Sequence, residues 1–277
     1  MAEITDPDTI NAFLEYPLPS VAKGFPNGWM SASDLQTIYN AARRTTGDVL
    51  EVGPWLGRSS TAIAAGLRDR EAEGGARVKY DIIDFGIASA EEWQQRFNQK
   101  LRLNHDNGRV AEAVLHPGGS NAVMVNNLKM NDLLGYTTTI MRGDIVDSPI
   151  QRKYSMIFCD ALHDIAEIER NMPRMAELVA PGCIFVADDV VTDETAECVR
   201  SYLDVKEFFF TKTIRRKRSK LCVFQIADVE KPNSVGTIGK TVKAATGSKT
   251  KIAKKSTAKP KTKTTAKKTR STETASA

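Results

Sequence analysis

The sequence predicts an α/β domain: a doubly wound, mostly parallel seven-stranded sheet, closed by an antiparallel C-terminal hairpin and followed by a disordered basic tail. Three observations carry this. Strand-like apolar runs alternate with helix-like amphipathic runs from about residue 48 to residue 203, and strands separated by helices pair in parallel. Two strand-like runs then follow with only a short basic turn between them. After Ile226 the chain turns to Lys, Thr, Ala and Ser, with almost nothing to bury.

In chain order, "DVLEVG" (48–53) reads as a buried strand and "RSSTAIAAGLRDREAEG" (58–74) as the helix after it. "RVKYDIIDFG" (77–86) is the second strand. The next segment holds the helix-like "ASAEEWQQRFNQKLRLNH" (88–105) and a loop "HPGGSNA" (116–122). Trp93 and Phe97, four apart, share one helical face there and are expected to pack on the body. "TTTIMRGD" (137–144) and "YSMIFCD" (154–160) are the third and fourth strands. "DIAEIERNMPRMAELV" (164–179) is a helix by its apolar positions 165, 168, 172, 175 and 178–179, with Pro173 inside it. "GCIFVADD" (182–189) is the fifth strand and "DETAECVRSYL" (193–203) a further helix. "EFFFTKTI" and "KLCVFQI", joined by "RRKRS", form the hairpin.

The chain has 277 residues, 41% of them hydrophobic, which suits one globular domain with an extension. No apolar run approaches the ~20 residues of a membrane span. The N-terminus "MAEITDPDTI" lacks the basic-then-apolar order of a signal peptide. The four cysteines, Cys159, Cys183, Cys198 and Cys222, are scattered without metal-ligand spacing. A cytoplasmic protein is expected.

Charge is divided along the chain. Of 39 Lys+Arg and 34 Asp+Glu, thirteen and three respectively lie from Ala227 to Ala277, leaving 26 basic and 31 acidic residues in the body. The body is acidic and the tail basic. Such a tail either holds polyanions through nonspecific phosphate contacts or only solubilises the chain. The domain boundary is expected at 226/227.

In doubly wound sheets ligands bind beyond the carboxyl ends of the strands. Glu51, Asp84, Asp144, Asp160, Asp188 and Asp189 all fall at or near those ends. Core packing does not explain acids gathered on one rim. The loop "EVGPWLG" has the spacing E-x-G-x-x-x-G, in which Gly53 and Gly57 let the backbone turn sharply near a ligand. Ser59 and Ser60 open a helix whose amides favour an anionic group. Asp84 ends the second strand, where a carboxylate accepts from both hydroxyls of a ribose. Asp144 is placed toward an adenine edge. Each position has a plainer reading as turn or cap; together they point to S-adenosylmethionine.

Asp160, Asp188 and Asp189 form the chemical half. Three carboxylates without a paired lysine repel one another unless a cation lies between them, and an all-oxygen set suits Mg²⁺ or another hard divalent ion. Such an ion would lower the pKa of a substrate hydroxyl. His163, three residues after Asp160, would take the proton as a neutral imidazole near pH 7, unless it only caps the next helix. His105 and His116 lie in loop-like sequence with nothing to single them out.

"VLEVGPWLGRSSTAIA", "DIIDFG", "YSMIFCDALHD" and "LVAPGCIFVADDVV" together resemble class I S-adenosylmethionine-dependent methyltransferases, with the Rossmann-like fold of that family. The nearest likeness is to the small-molecule branch of catechol and bacterial sugar and antibiotic O-methyltransferases. It covers about Trp29 to Ile226, and "GWMSASDLQTIYNAA" matches the short helix that often precedes the first strand. The resemblance implies that Glu51, Gly53, Gly57 and Ser59 hold the methionine part of the cofactor, Asp84 the ribose and Asp144 the adenine side. It makes Asp160, Asp188 and Asp189 the metal ligands, with Asp160 and His163 at the chemistry. Asp189 stands where catechol enzymes have asparagine, and His163 where they have a lysine base. No N-P-P-[YF] signature is present, which argues against amino methylation. Residues 87–119 exceed the family's minimal pattern, as a substrate lid, an oligomer contact or a surface elaboration.

The function expected is therefore metal-assisted O-methylation of a small-molecule or sugar hydroxyl. The acceptor and the oligomeric state, a homodimer included, stay open. Two other classes remain in view: a polyanion-binding protein acting through its tail, and a nicotinamide-dependent reductase, which the glycine spacing disfavours.

Overall fold

The computed structural model describes residues 6–103, 109–212 and 218–228. The tail lies outside the described residues except for Ala227 and Asp228, as do His105, the end of the expected sixth strand (213–214) and the first part of the expected turn (215–217). Seven strands form one sheet: β1 (Val49–Val52), β2 (Tyr80–Asp84), β3 (Thr139–Arg142), β4 (Tyr154–Cys159), β5 (Val179–Asp188), β6 (Val205–Phe210) and β7 (Leu221–Ile226). Their order is β3-β2-β1-β4-β5-β7-β6. The β1–β2, β1–β4, β2–β3 and β4–β5 pairs are parallel, and β7 runs antiparallel to both β5 and β6. The doubly wound sheet and its closing hairpin are as expected.

Strand pleating divides the core in two. Leu50, Val52 and Ile157 point to the face covered by α7 (Ile165–Ala176) and α8 (Asp193–Arg200), where they meet Ile168, Met172 and Ala196. Val49, Met156 and Phe158 point to the other face, packed with Leu35, Ile63 and Met124. Those residues belong to α2 (Ala32–Arg44), which follows the short α1 (Pro7–Ala12), and to α3 (Arg58–Ala72) and α6 (Gly119–Met130). Burial on both faces explains why the central strands read as continuous apolar runs. None of the helices among the described residues is long and apolar enough to cross a membrane.

The segment after β2 departs from expectation. Its helix α4 covers only Ala90–Phe97, because Asn98 turns left-handed at φ 50° and ends it. Beyond the short α5 (Val110–Val114), helix α6 rises from within the expected loop. Gly118 and Gly119, at φ 91° and 68°, make the turn into it that a side chain would strain.

Candidate active site at the carboxyl rim of the sheet

A cavity of about 270 Å³ opens at the carboxyl ends of β1, β2, β3 and β4. The chain winds outward in opposite directions from the β1–β4 pair, so this is the switch point where a doubly wound sheet leaves a crevice. Gly53, Asp84, Asp144, Asp160 and His163 all line it.

Gly53 sits at φ 80°, and a Cβ there would stand 2.7 Å from the Asp160 carbonyl oxygen. The bare backbone is thus required by the packing of two loops. Gly57, at φ 85°, begins α3 and would press a Cβ to 3.0 Å from Met124. Asp84 accepts from the Gly86 N–H at 2.6 Å. Burial pushes its carboxyl up to about 6 against that hydrogen bond, with Asp160 adding to the rise. Phe85 and Ile145 offer apolar walls nearby. Asp144 reaches the cavity, yet its carboxylate also takes Arg170 of α7 and the Val146 N–H. Burial opposes its ionisation, but those two donors prevail and hold its pKa below the ordinary range.

Glu51, Ser59 and Ser60 are placed differently from the sequence expectation. Glu51 is fully buried and lies outside the cavity lining. Its carboxylate accepts from Ser59 Oγ at 2.5 Å, Ser60 Oγ at 2.6 Å and the Tyr80 hydroxyl at 2.5 Å. Burial raises it to about 7, and the three hydroxyls resist that rise. The two serines clamp an internal acid and thereby fix β1 on α3, so their hydroxyls are engaged within the fold.

The acidic cluster contains a lysine that the sequence reading did not place there. β5 and β7 pair antiparallel with Asp188 opposite Leu221, so Lys220 lies beside the end of β5. Its Nζ stands 2.8 Å from Asp188 Oδ2 and 3.3 Å from Asp189 Oδ1. Asp188 is fully buried, and its Oδ1 has no hydrogen-bond partner. Burial and the Asp160 charge push the Asp188 carboxyl well above its ordinary range, with Lys220 pulling against them. Asp160 is raised by burial too, against the attraction of Lys220 and His163. The expected trio of Asp160, Asp188 and Asp189 therefore does not stand without a paired lysine. Among the described residues, the side chains whose ligand atoms gather within 4.8 Å of one another are instead Asp160, His163 and Asp189. With imidazole in place of the third carboxylate, that set is not the all-oxygen one a hard divalent ion favours.

His163 is likewise changed by its neighbours. Its Nδ1 lies 2.7 Å from Glu167 Oε2, while Nε2 faces Asp160 at 3.5 Å and Asp189 at 3.6 Å. The Glu167 hydrogen bond outweighs partial burial and raises the imidazole to about 9. The expected neutral ring near pH 7 gives way to a mostly protonated one. Capping of α7 falls to Asp164, which accepts from the Glu167 N–H at 2.9 Å.

An aromatic wall closes the outer side. Trp29, Trp55, Trp93 and Phe97 follow one another with ring centroids 6.1, 6.2 and 4.4 Å apart, and all four line the cavity. Arg58 holds the Trp29 segment in place by donating to the carbonyls of Pro26 at 2.6 Å and Met30 at 3.0 Å. The shared face of Trp93 and Phe97 was legible in their spacing, but not that it turns toward the cavity. Trp55 gave no signal beyond its place inside the glycine loop, and Trp29, ahead of α2, gave none. Lys220 had one: the residue before the last strand of a hairpin that pairs with β5 must lie near the end of β5.

The family model described as a methyltransferase domain matches residues 50–190. Among solved structures, the chain is similar to the O-methyltransferase involved in tomaymycin synthesis from Streptomyces achromogenes, in complex with S-adenosylmethionine. Identity there is 16% over 81% of this chain and 91% of that one, with a TM-score of 0.44. A putative O-methyltransferase from Klebsiella pneumoniae gives 16% over 82% and 92%, with a TM-score of 0.47. An O-methyltransferase from Bacillus cereus in complex with S-adenosylhomocysteine gives 14% over 81% and 92%, with a TM-score of 0.44. No curated protein sequence matches the chain.

Proposed function

The chain belongs to the methyltransferase-domain family, and on that footing we propose that it moves the methyl group of S-adenosylmethionine to a hydroxyl of a small-molecule or sugar acceptor. One observation carries the reading: a single cavity at the β1–β4 switch point joins Asp84 at one end to Asp160 and His163 at the other. The donor set fits the cofactor. Asp84 is placed for the ribose hydroxyls, Phe85 and Ile145 for the faces of a base, and the Gly53 turn for the methionine end. When bound, the cofactor supplies an electrophilic methyl group on a sulfonium. The protein's share is to place the acceptor oxygen in line with that carbon and to keep bulk water away, work that positioning alone makes large. The aromatic wall of Trp29, Trp55 and Trp93 supplies the exclusion.

The acceptor proton passes to the imidazole of His163 in its neutral form, with Asp160 orienting the hydroxyl. Because Glu167 favours the protonated ring, the neutral fraction grows as pH rises through about 9. The divalent ion expected at Asp160, Asp188 and Asp189 does not fit that trio while Lys220 holds Asp188.

The test is calorimetric titration with S-adenosylhomocysteine in buffer containing EDTA. Micromolar or tighter binding is expected, and at least tenfold weaker binding for Asp84→Ala. No heat with the wild-type protein would defeat the cofactor assignment. Equal affinity for the two proteins would remove Asp84 from it.

A further inference from the structure

We infer that Lys220 is the resident cation of the acidic rim, occupying with its ammonium the position that a divalent ion would otherwise take among Asp160, Asp188 and Asp189. The inference rests on the methyl-transfer reading for its purpose, but its geometry stands alone. Three carboxylates meet at the ends of β4 and β5, and one of them, Asp188, has no solvent exposure at all. A buried carboxylate without a counter-charge is strongly disfavoured, and here the counter-charge is covalently part of the chain. Lys220 Nζ reaches two of the three acids, at 2.8 and 3.3 Å.

The delivery of that ammonium is architectural. Asp188 pairs with Leu221 across the β5–β7 ladder, so the preceding residue projects beside the β5 terminus. The ladder is anchored close by: Ser219 N–H donates to the Thr211 carbonyl at 2.7 Å and Thr211 N–H to the Leu221 carbonyl at 2.9 Å. Thr211 Oγ1 donates in turn to Asp34 of α2 at 3.1 Å. A lysine pinned this way is a fixture of the site. A cleft of about 20 Å³, bordered by Trp29, Asp160, Asp188 and Lys220, lies directly against the ammonium. It has room for about one water-sized group, such as an acceptor oxygen. Lys220 is thus a positioning residue. It gathers the acids, sets their orientation and presents positive charge to the oxygen that loses its proton.

A metal-free site follows, and so does its converse: removing the ammonium should create a metal site. The experiment titrates Mn²⁺ into wild type, Lys220→Met and Lys220→Arg, followed by electron paramagnetic resonance of free Mn²⁺. S-adenosylhomocysteine calorimetry on the same three proteins runs alongside. Wild type and Lys220→Arg are expected to bind Mn²⁺ no tighter than millimolar, and Lys220→Met at least tenfold tighter, with the gain abolished by adding Asp160→Asn. A merely structural lysine would give no such gain.

Tight Mn²⁺ binding by the wild type that Asp160→Asn removes would overturn the inference. So would a folded Lys220→Met protein with no increase in affinity. If Lys220→Met does not fold, the wild-type titration decides alone: binding at Asp160 refutes the resident cation, and its absence upholds it. Failure of S-adenosylhomocysteine to bind any of the three would sink the methyl-transfer reading while leaving the Mn²⁺ result to judge Lys220.

Discussion

At His163 one neighbour decides the chemistry available near neutral pH. Glu167 lies four residues on, one helical turn, and its carboxylate at 2.7 Å holds the proton on the ring. The imidazole should titrate near 9 by proton NMR, and Glu167→Gln should return it toward its ordinary value of 6.5. A midpoint unmoved by that substitution would show that the two carboxylates facing Nε2 set it instead. Since the folded-state pKa is raised, the stabilisation from this pair is complete below about 6.5 and fades as pH climbs through 9. Glu51 runs the same way, through burial and not through a partner. Its carboxyl rises from 4.5 to about 7 on folding, so the folded protein holds a proton that the unfolded chain has released. Stability should therefore fall as pH rises from about 4.5 to 7, by roughly 3 kcal/mol at most. Urea unfolding across that range should show the slope in wild type and a shallower one in Glu51→Gln, whose amide cannot ionise, with buried Asp84 supplying part of what is left.

The elements place these residues by rules that act over a few positions. Helix α2 opens with a capping box: Ser31 Oγ accepts from the Asp34 N–H at 3.2 Å, and the Asp34 carboxylate accepts from the Ser31 N–H at 3.0 Å. Ser31→Ala should cost about 1 kcal/mol by chemical denaturation. Because Asp34 also accepts from Thr211, beside the strand that carries Lys220, the loss should fall on the hairpin too. Hydrogen exchange at the β6–β7 amides would reveal it. The β1 turn is less forgiving. Gly53→Ala brings a methyl group against the Asp160 carbonyl and forces φ 80° on a residue with a Cβ. A loss of about 1–3 kcal/mol is expected, read as a lowered thermal midpoint, together with weakened S-adenosylhomocysteine binding because the turn itself lines the cavity.

Across the whole molecule, the site is built from the ends of four strands and closed by segments far apart in sequence, Trp29 before β1 and Trp93 after β2. Among the described residues, every one that lines the cavity lies before β5. Truncation after Asp228 should leave S-adenosylhomocysteine affinity within about twofold of wild type; a larger change would assign the tail a part in the site. The same truncation separates the two expectations for that tail. Salt-sensitive retention on DNA that disappears with it would mark a polyanion contact, and retention by neither protein would leave only a solubilising extension.

The sequence by itself determined the fold and the rim of acids. Strand–helix alternation is local, and burial on both faces writes a parallel strand as an apolar run ending in polar residues, so Glu51, Asp84, Asp160 and Asp188 marked the strand ends without any knowledge of pairing. Hydrogen-bond partners and charge balance were decided only by the tertiary structure. Glu51 turned inward because two serines and Tyr80 converge on it from α3 and β2. Asp188 gained an ammonium because a hairpin 32 residues further on pairs with its strand in one register. The Trp wall formed because elements on either side of β1 fold over the same cavity. Periodicity along a chain reports which face a residue takes; the identity of the charge across from it depends on which strands become neighbours.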